Sequence, residues 1–227
     1  MTLKQLHSWE VTKETAIELQ RELSKNIIKE DHVGQVNFIA GIDMAINEST
    51  SMGRAAVVLM TYPDLVIIEK HVYEAPLHIP YIPGLLSFRE IPCMLGAFAK
   101  LKQRPDLLLV DGMGIAHPRG LGIASHLGLW LNIPTIGCGK SLLVGHYDST
   151  QLKVQAGSWV PLIYKKQVIG TVVRTRTNVS PLFISLGHLI SLQTSIDYVL
   201  LCSKGYRLPE PVRQADKLSK DNKYPLL

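Results

Sequence analysis

The sequence predicts an α/β fold, a mixed central sheet flanked by helices. Three observations carry that expectation. Apolar runs at 36–43, 54–60 and 65–72 follow one another, and Tyr62-Pro63-Asp64 between the last two is a turn signal that marks an antiparallel hairpin. Leu107-Leu-Leu-Val110 is apolar without alternation and runs into Asp111, as a parallel strand covered on both faces would. A helical pattern over 121–131 and an apolar run over 133–138 continue the alternation of helix and strand.

Taken in order, Ala16, Leu19, Leu23 and Ile27 recur on one face with Lys and Glu between them, which predicts a helix over 12–30. The strand at 36–43 follows and carries Asp43. Residues 76–92 hold Pro76, Pro80, Pro83, Pro92 and Gly84, so an ordered but irregular loop is expected there. Pro92 suits the start of a helix better than its interior, which places Glu90 just outside. Ser87-Phe-Arg-Glu90 alternatively fits a capping box. The helix runs to about Lys102 and buries Leu95, Phe98 and Ala99 before Arg104-Pro-Asp106 stops it. Trp159–Tyr164 and Val168–Arg174 read as a second hairpin turning at Lys165-Lys166-Gln167, and Ser191–Cys202 has helical spacing. No repeat or linker interrupts the chain, so one domain over 1–227 is expected.

With 46% hydrophobic and 19% charged residues in 227, the chain has enough apolar material for a large core and is not of the disordered class. Cys93, Cys138 and Cys202 cannot all pair and show no Cys-x-x-Cys spacing, which argues against a disulfide scaffold or a zinc ribbon. No stretch approaches the ~18 consecutive apolar residues of a membrane span. Residues 1–10 lack the apolar core of a secretory leader, so a cytoplasmic protein without membrane contact is expected. Twenty-four Lys plus Arg against 19 Asp plus Glu give a net charge of +5, which permits a polyanionic partner without requiring one.

Asp43 and Asp111 each lie at the end of an apolar strand, where open α/β sheets place their ligand sites. Close carboxylates repel unless a proton or a cation sits between them, and an all-oxygen ligand set suits Mg²⁺ or Mn²⁺. Each Asp could equally cap a turn, since Asp111-Gly112 is an ordinary turn dipeptide. Lys140 lies just past the apolar run at 133–138, as a surface lysine or as a fixed positive charge for a ligand.

Pro80-Tyr-Ile-Pro-Gly-Leu-Leu-Ser-Phe-Arg-Glu90, Asp111-Gly-Met-Gly-Ile-Ala-His-Pro-Arg119, Leu121-Gly-Ile-Ala-Ser-His126, Gly139-Lys-Ser141 and Lys204-Gly-Tyr-Arg-Leu-Pro-Glu-Pro211 together resemble endonuclease V. The resemblance covers nearly the whole chain, in order and with compatible spacing. It implies a ribonuclease-H-like fold, with three antiparallel strands first and parallel strands after. It also implies a DNA repair activity: recognition of deoxyinosine, the product of adenine deamination, and hydrolysis of the second phosphodiester bond 3′ to it. The reaction requires Mg²⁺, or Mn²⁺ in its place, and leaves 3′-hydroxyl and 5′-phosphate ends.

By that resemblance Asp43, Glu90 and Asp111 fall on the acidic metal-binding positions, and His117 and Lys140 on further active-site positions. Pro80, Tyr81, Ile82 and Pro83 fall on the motif that wedges into the duplex, and Asp216 is an outer-shell ligand at most. A stiff loop with an aromatic tip can fill the gap left by an extruded base, although such a Tyr could also simply cover the core. Gly84, Gly112, Gly114 and Gly139 allow close backbone approach to the extruded base. Backbone N–H donors to its 6-keto oxygen, with a tight wall near C2, would select hypoxanthine over adenine and guanine. Arg174, Arg176, Lys204, Arg207 and Arg213 are expected to meet phosphates or to form an ordinary solvated face. His117, beside Pro118, could instead anchor its loop, and His126 is read as structural. The chain departs from the family at Met113, where His is usual, and at Gly120, where a second basic residue is common. The expected partner is inosine-containing DNA, met by a monomer without a small-molecule cofactor. Alternatives are inosine in RNA, a non-catalytic nucleic-acid-binding module, and a metal-dependent phosphatase.

Overall fold

A computed structural model describes residues 5–221, 223 and 224. Its frame is an eight-stranded sheet. The strands are β1 (Phe38–Asn47), β2 (Met52–Thr61), β3 (Ile67–Pro76), β4 (Leu107–Val110), β5 (Thr135–Gly139), β6 (Trp159–Tyr164), β7 (Gln167–Val173) and β8 (Leu182–His188), in the order β3-β2-β1-β4-β5-β8-β7-β6. The first three strands are antiparallel, β4 and β5 run parallel to β1, and β8, β7 and β6 return antiparallel. The helices are α1 (Lys13–Leu23), α2 (Leu86–Phe98), α3 (Ile123–Leu131), α4 (Leu192–Leu201) and α5 (Glu210–Ser219).

Strand alternation divides the core into two layers. On β1 and β4, Ile39, Leu107 and Leu109 face the side of α4 and α5, packing with Ile196, Val199, Val212, Ala215 and Leu218. Ala40, Ile42, Leu108 and Val110 face the side of α2 and α3, against Ile91, Met94, Phe98, Leu127 and Leu131. This burial on both faces is why β4 reads as an unbroken apolar run. Gly41 lies on the α5 side, where a Cβ would stand 2.0 Å from the Pro211 carbonyl oxygen, so its lack of a side chain lets α5 approach β1 closely. The three cysteines are buried and free, and no helix among the described residues is long and apolar enough to cross a membrane.

Both hairpins, β4 with its parallel neighbours, and α4 capped by Ser191 stand where the sequence predicts them. Four expectations are corrected. The first helix ends at Leu23 and passes through a 3₁₀ turn (Ser24–Asn26) rather than reaching residue 30. Ile27, predicted to share a helix face with Ala16, is extended and packs into the sheet core, while Ala16 packs beside Leu85 and Phe88.

The second helix begins at Leu86, not at Pro92. Leu85 holds the N-cap position, so Ser87 is no capping-box residue, and Glu90 lies inside the helix. An interior proline costs about 3 kcal/mol. Burial of Phe88, Ile91, Met94 and Phe98, at about 1.5–3 kcal/mol each, outweighs it. That helix also ends at Phe98 rather than near Lys102, because after Ala99 the backbone tightens into i→i−3 bonds, from Lys100 to Ala97 and from Leu101 to Phe98.

Finally, β8 and α5 lie in stretches for which the sequence pattern predicts no element. β8 is buried along its whole length, and α5 is amphipathic through Val212, Ala215 and Leu218.

Candidate catalytic site

Parallel pairing of β1 with β4 aligns Ile42 with Val110, so the residues that follow, Asp43 and Asp111, stand side by side where β4 ends. Asp111 lies just past its strand as expected, whereas Asp43 lies within β1, because pairing with β2 carries that strand on to Asn47. The Asp111 N–H donates to the Ile42 carbonyl at 3.1 Å and fixes that register. By strand alternation Asp43 shares the face of Ile39 and Gly41, the face on which α5 packs. α5 therefore adds a third carboxylate, Asp216. One oxygen from each of Asp43, Asp111 and Asp216 lies within 4.8 Å of the other two. This brings Asp216 together with Asp43 and Asp111, and the close approach of α5 over Gly41 carries it there.

Two lysines and a hydroxyl hold the group. Lys140, the residue after β5, is paired with Asp111 and donates to Asp216 Oδ1 at 2.5 Å, and Lys220 donates to the same oxygen at 2.8 Å. The buried Ser219 hydroxyl donates to Asp43 Oδ2 at 2.6 Å. Although burial lowers an ammonium pKa, the bonds to Asp111 and Asp216 outweigh it and hold Lys140 above its ordinary value.

Glu90 enters from α2, on the opposite side of the strand ends, and lines the same cavity of about 410 Å³. Burial, with the charges of Asp43 and Asp111 added to it, pushes its carboxyl up to about 8. Burial and the Asp43 charge likewise push Asp111 upward. Four carboxyl groups (Asp43, Glu90, Asp111, Asp216) thus face two ammonium groups across one cavity. The donor set is oxygen only, its members repel one another, and the shortfall of positive charge fits a hard divalent cation.

The loop before α2 is pinned at one atom. The Gly84 carbonyl accepts from Gln20 Nε2 at 2.9 Å, His117 Nε2 at 3.1 Å and Arg119 Nη2 at 2.7 Å. His117 Nδ1 accepts from the Arg119 backbone N–H, so Nε2 carries the ring proton. Burial and the Arg119 charge hold this imidazole neutral, with its pKa lowered to about 4. His117 therefore lines the cavity as an anchor of its loop, with both ring nitrogens engaged. Gln20 was not apparent from sequence, where it is one polar residue in an amphipathic helix. Its 1% exposure marks it in the fold.

Within the Pro80–Pro83 loop, Tyr81 is 63% exposed and stands at the cavity rim, and Pro80 and Pro83 are exposed. Ile82 turns the other way and packs with Ala16, Leu85 and Phe88, so it does not share the outward face. Gly84, Gly112 and Gly139 line the cavity, but Gly114 does not. A Cβ at Gly114 would meet the Leu186 carbonyl oxygen at 2.0 Å, so this glycine serves the packing of its loop on β8. Met113 fills the space over Gly139, with its Cε 2.5 Å from where a Cβ would stand. Gly120 has φ +72°, a left-handed backbone that favours glycine. Ser141, the last residue of the Gly139-Lys-Ser motif, completes the rim with Leu142 and Leu143, which belong to no motif.

Of the expected phosphate contacts, Arg174 is bonded to the Lys153 and Val179 carbonyls, Arg207 to those of Lys140 and Pro181, and Arg213 to Glu210. These three guanidiniums brace the protein's own loops and helix. His126 is fully buried and bonded to His7 and Ser87.

A model of the family described as Endonuclease V matches residues 21–217. A relative named Endonuclease V from Nostoc sp. is 52% identical over 220 residues, 96% of this chain and 99% of the relative. The crystal structure of the endonuclease V from Streptomyces avermitilis superposes with a TM-score of 0.88 at 34% identity, covering 94% of this chain and 93% of that one. Endonuclease V from Ciona intestinalis, solved with a 23mer DNA containing an inosine followed by a ribo-adenosine, superposes with a TM-score of 0.81 at 28% identity, covering 92% and 97%.

Proposed function

Because this chain belongs to the endonuclease V family, with its ribonuclease-H-like fold and nuclease activity, we propose that it is a DNA repair enzyme for deoxyinosine. In this reading it cuts the second phosphodiester bond 3′ to the lesion and leaves 3′-hydroxyl and 5′-phosphate ends. It works with Mg²⁺ or Mn²⁺, as a cytoplasmic monomer and one continuous domain. The observation that carries the reading is the convergence of Asp43, Asp111 and Asp216, with Glu90 across the same cavity. The inosine-containing DNA bound by the Ciona relative supports the choice of substrate.

Asp43, Asp111 and Asp216 would hold the divalent ions, with Glu90 completing the set. Bound there, such ions polarise the phosphate and lower the pKa of a coordinated water. The chain's own groups do the rest. Lys140 turns its ammonium from Asp111 and Asp216 toward the anionic phosphate and offsets charge that grows as the water attacks. Ser219 holds the orientation of Asp43. Tyr81, presented by the pinned loop, enters the duplex as the base leaves it, and the backbone at Gly84, Gly112 and Gly139 gives the base a close-fitting wall.

The deciding experiment is a labelled strand with a central deoxyinosine, incubated with Mg²⁺, with the cut position mapped. A cut at the second bond on the 3′ side is expected, and a cut elsewhere or none would refute the assignment. The ribo-adenosine in the Ciona complex motivates a matched strand carrying ribose at the next nucleotide. Faster cutting of that strand, and of an inosine-containing RNA, would make RNA the main substrate.

A further inference from the structure

A second groove, of about 250 Å³, lies beside the catalytic cavity and shares one lining residue with it, His117. Its walls are the end of α1 and the segment after it (Ser24, Ile27, Lys29), the loop 115–120, and the β6–β7 hairpin (Tyr164, Lys165, Gln167). Lys29, Arg119 and Lys165 face it, and no carboxylate lines it. None of these three cations makes an ion pair among the described residues. Burial and the neighbouring Arg21 charge hold Arg119 below its ordinary value. Like charges gathered without counter-charge favour an anionic occupant.

The hairpin adds an independent sign. Tyr164 pairs with Gln167, which leaves a two-residue turn in which Lys165 and Lys166 have φ of +50° and +64°. Asn-Gly is the comfortable pair for this turn, and lysine at both places carries backbone strain. Lysine at both turn positions sets two further positive charges at and beside the groove that Lys165 lines.

We infer that this groove is a track for the phosphodiester backbone of the substrate, continuing from the catalytic cavity past His117 and Arg119 to Lys29, Lys165 and Lys166. It rests on the nucleic-acid reading above and names the surface that holds DNA beyond the scissile bond.

The test uses Lys165→Asn/Lys166→Gly, which removes both charges while giving the turn its preferred residues. Binding to a duplex of about 30 base pairs carrying one inosine, and to its inosine-free twin, is followed by anisotropy in EDTA from about 50 to 200 mM KCl. The variant is expected to keep or raise Tm and to lose about tenfold in affinity at the lowest salt. Its plot of log K against log salt should flatten by about one to two units for both duplexes. Lys29→Gln should flatten the plot by about one unit. Slopes unchanged in both variants would overturn the track. If the wild type instead binds the two duplexes equally and makes no Mg²⁺-dependent cut near inosine, the deoxyinosine reading fails. The inosine-free duplex would still test the track.

Discussion

Gln20 and Gly84, 64 positions apart, are joined by a 2.9 Å hydrogen bond from the side-chain amide to the backbone carbonyl. The same Gln20 accepts from Arg119 Nε, so one buried side chain of α1 ties the loop that presents Tyr81 to the loop that carries His117. Gln20→Leu removes the donor and strands the Arg119 Nε–H, at a cost of about 1–3 kcal/mol in chemical denaturation. Affinity for an inosine-containing duplex should fall more than affinity for the inosine-containing single strand. In a Tyr81→Ala background the extra duplex loss should largely vanish, and strictly additive losses would show that the loop is not held in place for Tyr81.

Ser219 donates to Asp43 from a fully buried position on α5. Ser219→Ala should leave the fold intact and weaken Mg²⁺ by about 10–100-fold, as removal of a group that orients a ligand does. Cutting rates titrated against Mg²⁺ would read the shift, and an unchanged midpoint would deny Ser219 that role.

Glu90 predicts a pH effect of definite sign. Its folded pKa, about 8, lies above the ordinary 4.5, so without metal the fold loses stability as pH rises through that window, at up to about 1.4 kcal/mol per unit. Glu90→Gln should therefore gain stability over the wild type between pH 5 and 8 in EDTA. It should also lose part of the Tm rise that Mg²⁺ gives the wild type. Parallel stability profiles for the two proteins would mean that Glu90 stays ionised.

His188 titrates with the opposite consequence. It is buried at the end of β8, and Nδ1 accepts from the Ile28 N–H at 3.2 Å, which docks the segment after α1 on the sheet. Burial, helped by His32, lowers its pKa to about 4. The neutral ring contributes stability fully above pH 6.5, and that contribution is lost as pH falls toward 4. His188→Gln should be less stable than the wild type at pH 7.5, and the difference should shrink at pH 4.5 in urea unfolding.

The sequence carried much of this in patterns that need no partner. The unbroken Leu107–Val110 run, the turn residues of both hairpins and the carboxylate that follows Val110 are local signals, and each stands where it was expected. Pro92 misled for the same reason. Its cost is local and visible, while the burial of Phe88, Ile91, Met94 and Phe98 that overrides it depends on the sheet beneath.

What the chain determined by itself was the class of fold, the acidic and basic residues available for chemistry, and a motif set specific enough to point to a family. What only the tertiary structure decided was which of them meet. The β1–β4 register sets Asp43 beside Asp111, the bare Gly41 lets α5 bring Asp216 to join them, and Gln20 closes on a carbonyl remote in sequence. Periodicity is written in neighbouring residues, whereas a distance between remote side chains exists only once the backbone register and the packing of helix on sheet have been fixed.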